Sequence, residues 1–156
     1  MTDSERLQHA LDLAFRYLGH RDRTVLEVRE RLSAEGIEPA VVDDAVDELH
    51  LLGYLDDARS AQRFAEDRRT IDAWGAERIE RRLLAVGVGP ALIAAALGER
   101  DSGEELEAAL AVLRRRFERP PEHDRDRDRA LGLLVRKGYE LDLAYDAVRA
   151  FERDAA

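Results

Sequence analysis

The stretch Thr24-Val-Leu-Glu-Val-Arg-Glu-Arg-Leu-Ser-Ala-Glu-Gly36 decides the fold, because it returns in register as Gly75-Ala-Glu-Arg-Ile-Glu-Arg-Arg-Leu-Leu-Ala-Val-Gly87. The glycines Gly36, Gly87 and Gly138 stand 51 residues apart each time. On that register Leu32, Leu83 and Leu134 coincide, as do Val28/Ile79/Ala130, Ile37/Val88/Tyr139, Val42/Ile93/Ala144, Ala45/Ala96/Ala147 and Val46/Leu97/Val148. Segments 24–49, 75–100 and 127–151 superpose without a gap, and a fixed period of this length marks a repeat architecture.

Within a period the apolar spacing is helical. Leu7, Ala10, Leu11, Ala14, Phe15 and Leu18 follow i, i+3, i+4, i+7, i+8, i+11 and form one stripe of a first helix. A second helix opens at Thr24, with Glu27 completing a capping box, and closes at Gly36, a residue free to turn left-handed. A third starts at Pro39, where a missing N–H costs nothing, and buries Val42, Ala45, Val46 and Leu49. The next unit repeats this with helices near 56–72, 75–86 and 90–99. The last begins at a Ser102-Gly-Glu-Glu105 capping box, runs to about Arg119, breaks at Pro120-Pro121 and resumes as two helices around Gly138. No strand pattern interrupts the series. A unit of this size buries too little surface to stand alone, so neighbours must share it. The expected fold is all-α: three tandem three-helix, helix-turn-helix-like repeats at 1–53, 54–101 and 102–156, forming an elongated curved array.

Composition narrows the class. With 45% hydrophobic and 38% charged residues, the chain is charged without lacking core formers, so it folds. The absence of cysteine removes disulfides, thiolate zinc sites and a cysteine nucleophile together. The longest apolar run, Ala91 to Leu97, is far short of the ~18–20 residues that span a bilayer, and Met1-Thr-Asp-Ser-Glu-Arg6 does not read as a signal peptide. A cytoplasmic protein without membrane contact is expected.

The catalytic motifs are missing. His9, His20, His50 and His123 lack metal-ligand spacing, and neither a phosphate-binding loop nor a cofactor motif occurs. The expectation is no enzyme, no metal and no cofactor. Asp56 and Asp57 could act as a carboxylate pair, or one of them caps the helix that follows. Trp74 is either an exposed anchor or packed under the next helix. The alternating tract Glu122–Arg129 is self-neutralising and reads as a solvated helix start.

A glycine turn between helices suggests a DNA reader, but the helix after the turn argues against it. In the first repeat it carries Asp43, Asp44, Asp47 and Glu48 and no base. In the second it is Pro90–Leu97, without a hydrogen-bonding side chain, and in the third Asp142 and Asp146 oppose Arg149. Of the net charge of −9, residues 1–53 contribute −6, with 6 basic against 12 acidic residues. Arginines gather later, as Arg63, Arg68 and Arg69, then Arg78, Arg81 and Arg82, then Arg114, Arg115, Arg116 and Arg119. They are a solvated face balanced by Glu77 and Glu80, or a groove for a partner or phosphate.

The run Gly53-Tyr-Leu-Asp-Asp57, then Arg63-Phe64, Arg68, Gly75-Ala-Glu-Arg78-Ile79, Leu83 and Gly87-Val88, closely resembles the signature of the RecX family, regulators of the RecA recombinase. Leu26–Arg29 with Leu32 is similar to the family's first repeat, and Leu134–Tyr139 to its third. The resemblance implies tandem three-helix repeats without catalysis. It also implies a RecA partner bound along the filament groove on single-stranded DNA, with ATP hydrolysis, strand exchange and co-protease activity suppressed. Asp57, Arg63, Arg68, Arg69, Arg78, Arg81, Arg82, Arg114 and Arg115 are the expected partner-binding residues, on a monomer, with single-stranded DNA inside the filament as a further contact. Ile71 and Asp72 stand where family members often carry basic residues, which favours RecA contact over direct DNA contact. The alternatives are a nucleic-acid-binding protein acting alone through the arginine face, and a helical scaffold for another partner.

Overall fold

The structure is a computed structural model that describes residues 1–154. Among the described residues the chain forms nine helices and no strand: α1 (Asp3–Leu18), α2 (Val25–Ala34), α3 (Pro39–Leu51), α4 (Asp57–Ile71), α5 (Ala76–Ala85), α6 (Pro90–Leu97), α7 (Ser102–Arg116), α8 (Asp124–Lys137) and α9 (Leu141–Arg153). The all-α reading holds. None of these helices is long and apolar enough to cross a membrane, and no group of three His, Cys, Asp or Glu among the described residues could hold a metal.

The periodic residues take equivalent places. Gly36, Gly87 and Gly138 all have positive φ, at 83°, 86° and 100°. In each turn the carbonyl of the periodic leucine accepts a bond from the residue after the glycine: Ile37 N to Leu32 O at 3.1 Å, Val88 N to Leu83 O and Tyr139 N to Leu134 O at 3.0 Å. That is the helix-ending geometry that an L side chain resists and glycine accepts. Leu32, Leu83 and Leu134 are all buried.

Contacts gather the described chain into two compact units, residues 1–61 with 83–93, and residues 62–82 with 94 onward. In the first unit α1, α2 and α3 pack pairwise. Their core joins Ala10, Leu11 and Ala14 to Val28, Leu32, Val42, Val46 and Leu49. In the second unit α7, α8 and α9 do the same, around Leu110, Leu113, Leu134, Tyr139, Val148 and Phe151.

Helix boundaries follow the sequence with two corrections, both on α7. The Thr24–Glu27 box is present, with both reciprocal bonds made. Burial opposes ionisation of Glu27, but the bond from Thr24 N and the Arg21 and Arg23 guanidiniums outweigh it and hold the carboxyl below its usual value. The box on α7 lies one residue earlier than expected: Asp101, not Ser102, is the cap, and Glu104 is its partner. Both residue types cap well, and using Asp101 releases Glu105 to turn inward, where it is buried. The same helix ends at Arg116 rather than near Arg119, with Phe117 already extended.

Each unit also contains a docking contact with the same sequence separation. In the first, Thr24 Oγ1 donates to Val86 O at 2.5 Å, 62 residues away. In the second, Gly75 N donates to Lys137 O at 2.8 Å, and 137 is again 62 beyond 75. An acidic side chain completes each junction, Asp57 Oδ1 accepting from Val25 N at 3.0 Å and Glu105 Oε1 from Ala76 N at 3.1 Å. The start of α2 is thus satisfied by α4, and the start of α5 by α7. Because Thr24 both caps α2 and bonds Val86, Thr24→Ala is expected to cost about 1–2 kcal/mol. Urea denaturation measures it, and a loss below a few tenths would refute the double role.

A candidate arginine-rich partner interface

Of the two readings of Asp56 and Asp57, the structure shows capping, by both residues. Asp56 Oδ1 accepts from Arg59 N at 3.0 Å and so caps its own helix α4, while Asp57 caps α2. Each carboxylate therefore has a capping bond to a helix start, a structural part.

In the second unit, α4 and α5 bring an aromatic pair and two guanidiniums together. Phe64 and Trp74 meet edge to face, with ring centroids 6.0 Å apart. Arg78 places its guanidinium 4.1 Å from the Trp74 ring centre, and Arg68 lies 5.9 Å from that ring and 5.7 Å from Phe64. Arg68 also pairs with Asp72. Arg78 Nη1 donates to Arg136 O at 3.3 Å, which fixes its reach across to the end of α8. Trp74 is half-buried, so it supports these arginines from beneath. This assembly depends on an unusual turn: Ala73, not glycine, takes φ 56° at the end of α4 and turns the chain so that Trp74 N bonds Arg68 O.

The other expected residues are placed differently. Arg69 is directed inward, its Nη2 donating to Leu97 O at 3.0 Å, and burial together with the Arg100 charge pushes its pKa down. Arg81 and Arg82 are exposed on α5 and form no ion pair among the described residues. Arg63 is exposed on α4. Arg114 holds Asp154 through two nitrogens, at 3.1 and 2.7 Å, and Arg115 is exposed. The structure therefore gathers Arg68 and Arg78 at Trp74, leaves Arg81 and Arg82 presented to solvent, and gives Asp57, Arg69 and Arg114 structural partners.

Sequence reasoning missed three arginines. Arg125, Arg129 and Arg136 line one cleft with Arg116, which the sequence grouped with Arg114 and Arg115, and with Phe117 and Leu133. Their signal was the spacing i, i+4, i+11 on α8, hidden in a tract that alternates sign residue by residue.

Comparison with known proteins decides the family. Residues 10–49 match the first three-helix domain of RecX and residues 56–97 match the second. The regulatory protein RecX of Trichlorobacter lovleyi is 33% identical over 147 residues, covering 92% of this chain and 96% of that one. The chain belongs to the RecX family. RecX of Deinococcus radiodurans is 32% identical over 151 residues, 95% of this chain and 71% of that one. RecX of Lactobacillus johnsonii is 34% identical over 110 residues, and that match spans only 41% of the relative's length. The crystal structure of RecX from Lactobacillus salivarius shares the fold with a TM-score of 0.84 at 17% identity, over 96% of this chain and 99% of that one. The relatives are named as regulatory proteins, not for a reaction. The match to the second RecX domain contains Phe64, Arg68, Trp74, Arg78, Arg81 and Arg82.

Proposed function

We propose that this RecX-family chain is a non-enzymatic cytoplasmic regulator that binds the RecA recombinase, along its filament on single-stranded DNA, and inhibits its ATPase, recombinase and co-protease activities. Membership of the family through both matched three-helix domains carries this reading. The arginines supply the means. Arg78 is held ready by Trp74, and Arg82 stands on the same helix without an internal partner, so both have charge to offer an acidic protein surface or a phosphate. In this reading the chain acts as a monomer built of three repeats, 1–53, 54–101 and 102–156, supported by the turn that recurs at Gly36, Gly87 and Gly138. Successive repeats would meet successive protomers, and several weak contacts would add up to firm binding.

The test is RecA-dependent ATP hydrolysis on single-stranded DNA with the protein titrated in. Hydrolysis should fall at substoichiometric protein, while the protein alone hydrolyses nothing. No change at excess protein would remove the proposal. Strong, salt-sensitive binding to bare DNA without RecA would favour direct nucleic-acid binding instead.

The face follows from a double reversal. Arg78→Glu with Arg82→Glu should weaken inhibition at least tenfold, because two contacts of about 1 kcal/mol each exceed the ~1.4 kcal/mol that a factor of ten requires. Asp43→Lys with Asp47→Lys should have little effect, since Asp43 only pairs with the exposed Arg29. If the second pair proved more damaging, the assigned face would be wrong.

A further inference from the structure

The second unit contains a cleft of about 670 Å³ between the end of α7 and the outer face of α8. Arg116, Arg125, Arg129 and Arg136 line it, against Asp128 as the acid. None of the four guanidiniums forms an ion pair among the described residues, although the arginines beside them do: Arg114 holds Asp154, and Arg127 holds Asp124 and Glu152. Helical period sorts the tract accordingly, turning Arg127 toward Glu152 on α9 and leaving Arg125 and Arg129 on the cleft. Gly132 contributes from the same face. A Cβ there would come within 3.1 Å of Arg136 Nη1, so this guanidinium lies against bare helix backbone. Residues 111–140 hold nine basic against six acidic side chains in a chain whose net charge is −9. Concentrating unpaired positive charge here costs self-repulsion, which a negative partner relieves.

The floor is apolar. Phe117 and Leu133 are partly buried against the core of α7, α8 and α9. The Arg116 guanidinium sits over the Phe117 ring, 5.3 Å from its centre, and occupies the face on which a nucleobase would stack.

We propose that this cleft binds an acidic peptide segment of a partner protein, with carboxylates against the four guanidiniums and an apolar side chain on Leu133. Guanidinium forks suit carboxylates and phosphates alike, but the apolar floor and the covered ring favour a peptide over a phosphodiester strand. The inference goes beyond RecA regulation and does not depend on it.

Fluorescence anisotropy of a labelled glutamate-rich peptide containing two leucines, with the purified protein alone, tests it. Saturable binding is expected. Arg125→Glu with Arg129→Glu should weaken it about tenfold or more, and serine in place of the peptide's leucines severalfold, roughly what losing buried methyl groups costs. Arg125→Gln with Arg129→Gln should weaken it in the same direction, and serves if the reversal disturbs helicity. Arg16→Glu with Arg31→Glu, an equal change of charge elsewhere, should leave it within about twofold. Absence of saturable binding, or an equal loss in the Arg16/Arg31 variant, overturns the proposal. So does tighter binding of oligothymidylate through the same arginines, which would make this a phosphate cleft.

Discussion

Gly138→Ala is expected to destabilise this protein by about 2–5 kcal/mol, far more than the same change at the periodic Gly36. Both glycines have positive φ, which costs an alanine roughly 1–2 kcal/mol in either place. Their surroundings differ. A Cβ on Gly36 meets nothing within 4 Å, whereas one on Gly138 would fall on Arg78 Cβ and within 2.6 Å of Arg78 N. Retreat is blocked, because Gly75 N bonds Lys137 O at 2.8 Å and Glu77 N bonds Gly138 O at 2.9 Å, fastening the start of α5 to this turn. Relieving the overlap means breaking one of these bonds or bending α5, an overpacking cost of about 1–3 kcal/mol beyond the backbone term. At roughly 2–4 °C per kcal/mol for a chain of this size, thermal melts should separate the two variants by several degrees. Equal melting temperatures would show that the junction gives way freely.

The second large effect belongs to Glu105. Its carboxylate is buried, accepts the Ala76 N–H through one oxygen and pairs with Arg100 at 3.2 Å through the other. Glu105→Ala leaves an orphan donor at the first turn of α5 and a guanidinium with little access to water. Together these should cost on the order of 2–4 kcal/mol. Glu105→Gln keeps an acceptor for Ala76 N but removes the charge, and should cost about half as much. An independent readout exists. Burial, followed by the Glu105 charge, pushes the Tyr139 hydroxyl up to about 12, so removing that charge should lower the alkaline titration seen by tyrosinate absorbance. Glu107→Ala, an exposed change on the same helix, should move neither stability nor titration. If it destabilised as much as Glu105→Ala, the buried network would not be the cause.

Legibility followed sequence distance. The turns at Gly36, Gly87 and Gly138 were readable because leucine, glycine and the closing bond all lie within six residues. Thr24 and Glu27 were readable for the same reason. Asp57 was not, since the amide it caps, Val25 N, lies 32 residues away on another helix. Glu105 was credited to its own helix when its partner is the start of α5, 29 residues earlier. The arginine cleft was obscured by composition: a tract neutral along the chain is not neutral around a helix, where Arg127 and Arg129 point different ways. Arg69 illustrates the reverse error. An arginine in a basic run looks like surface, yet its stem can carry the guanidinium inward to the carbonyls at the end of α6.

The repeated docking contacts are made largely by main-chain atoms: Val86 O, Gly75 N with Lys137 O, and Glu77 N with Gly138 O. Such bonds define geometry while saying almost nothing about which side chains must stand outside them. Substitutions can therefore accumulate on the solvent faces at little cost to assembly, provided a few small residues persist where backbones touch. A TM-score of 0.84 at 17% identity to the Lactobacillus salivarius protein is the evolutionary outcome expected of that arrangement. Much of what holds the junctions together is thus carried by peptide groups, with Thr24, Asp57 and Glu105 as the side chains that they still require.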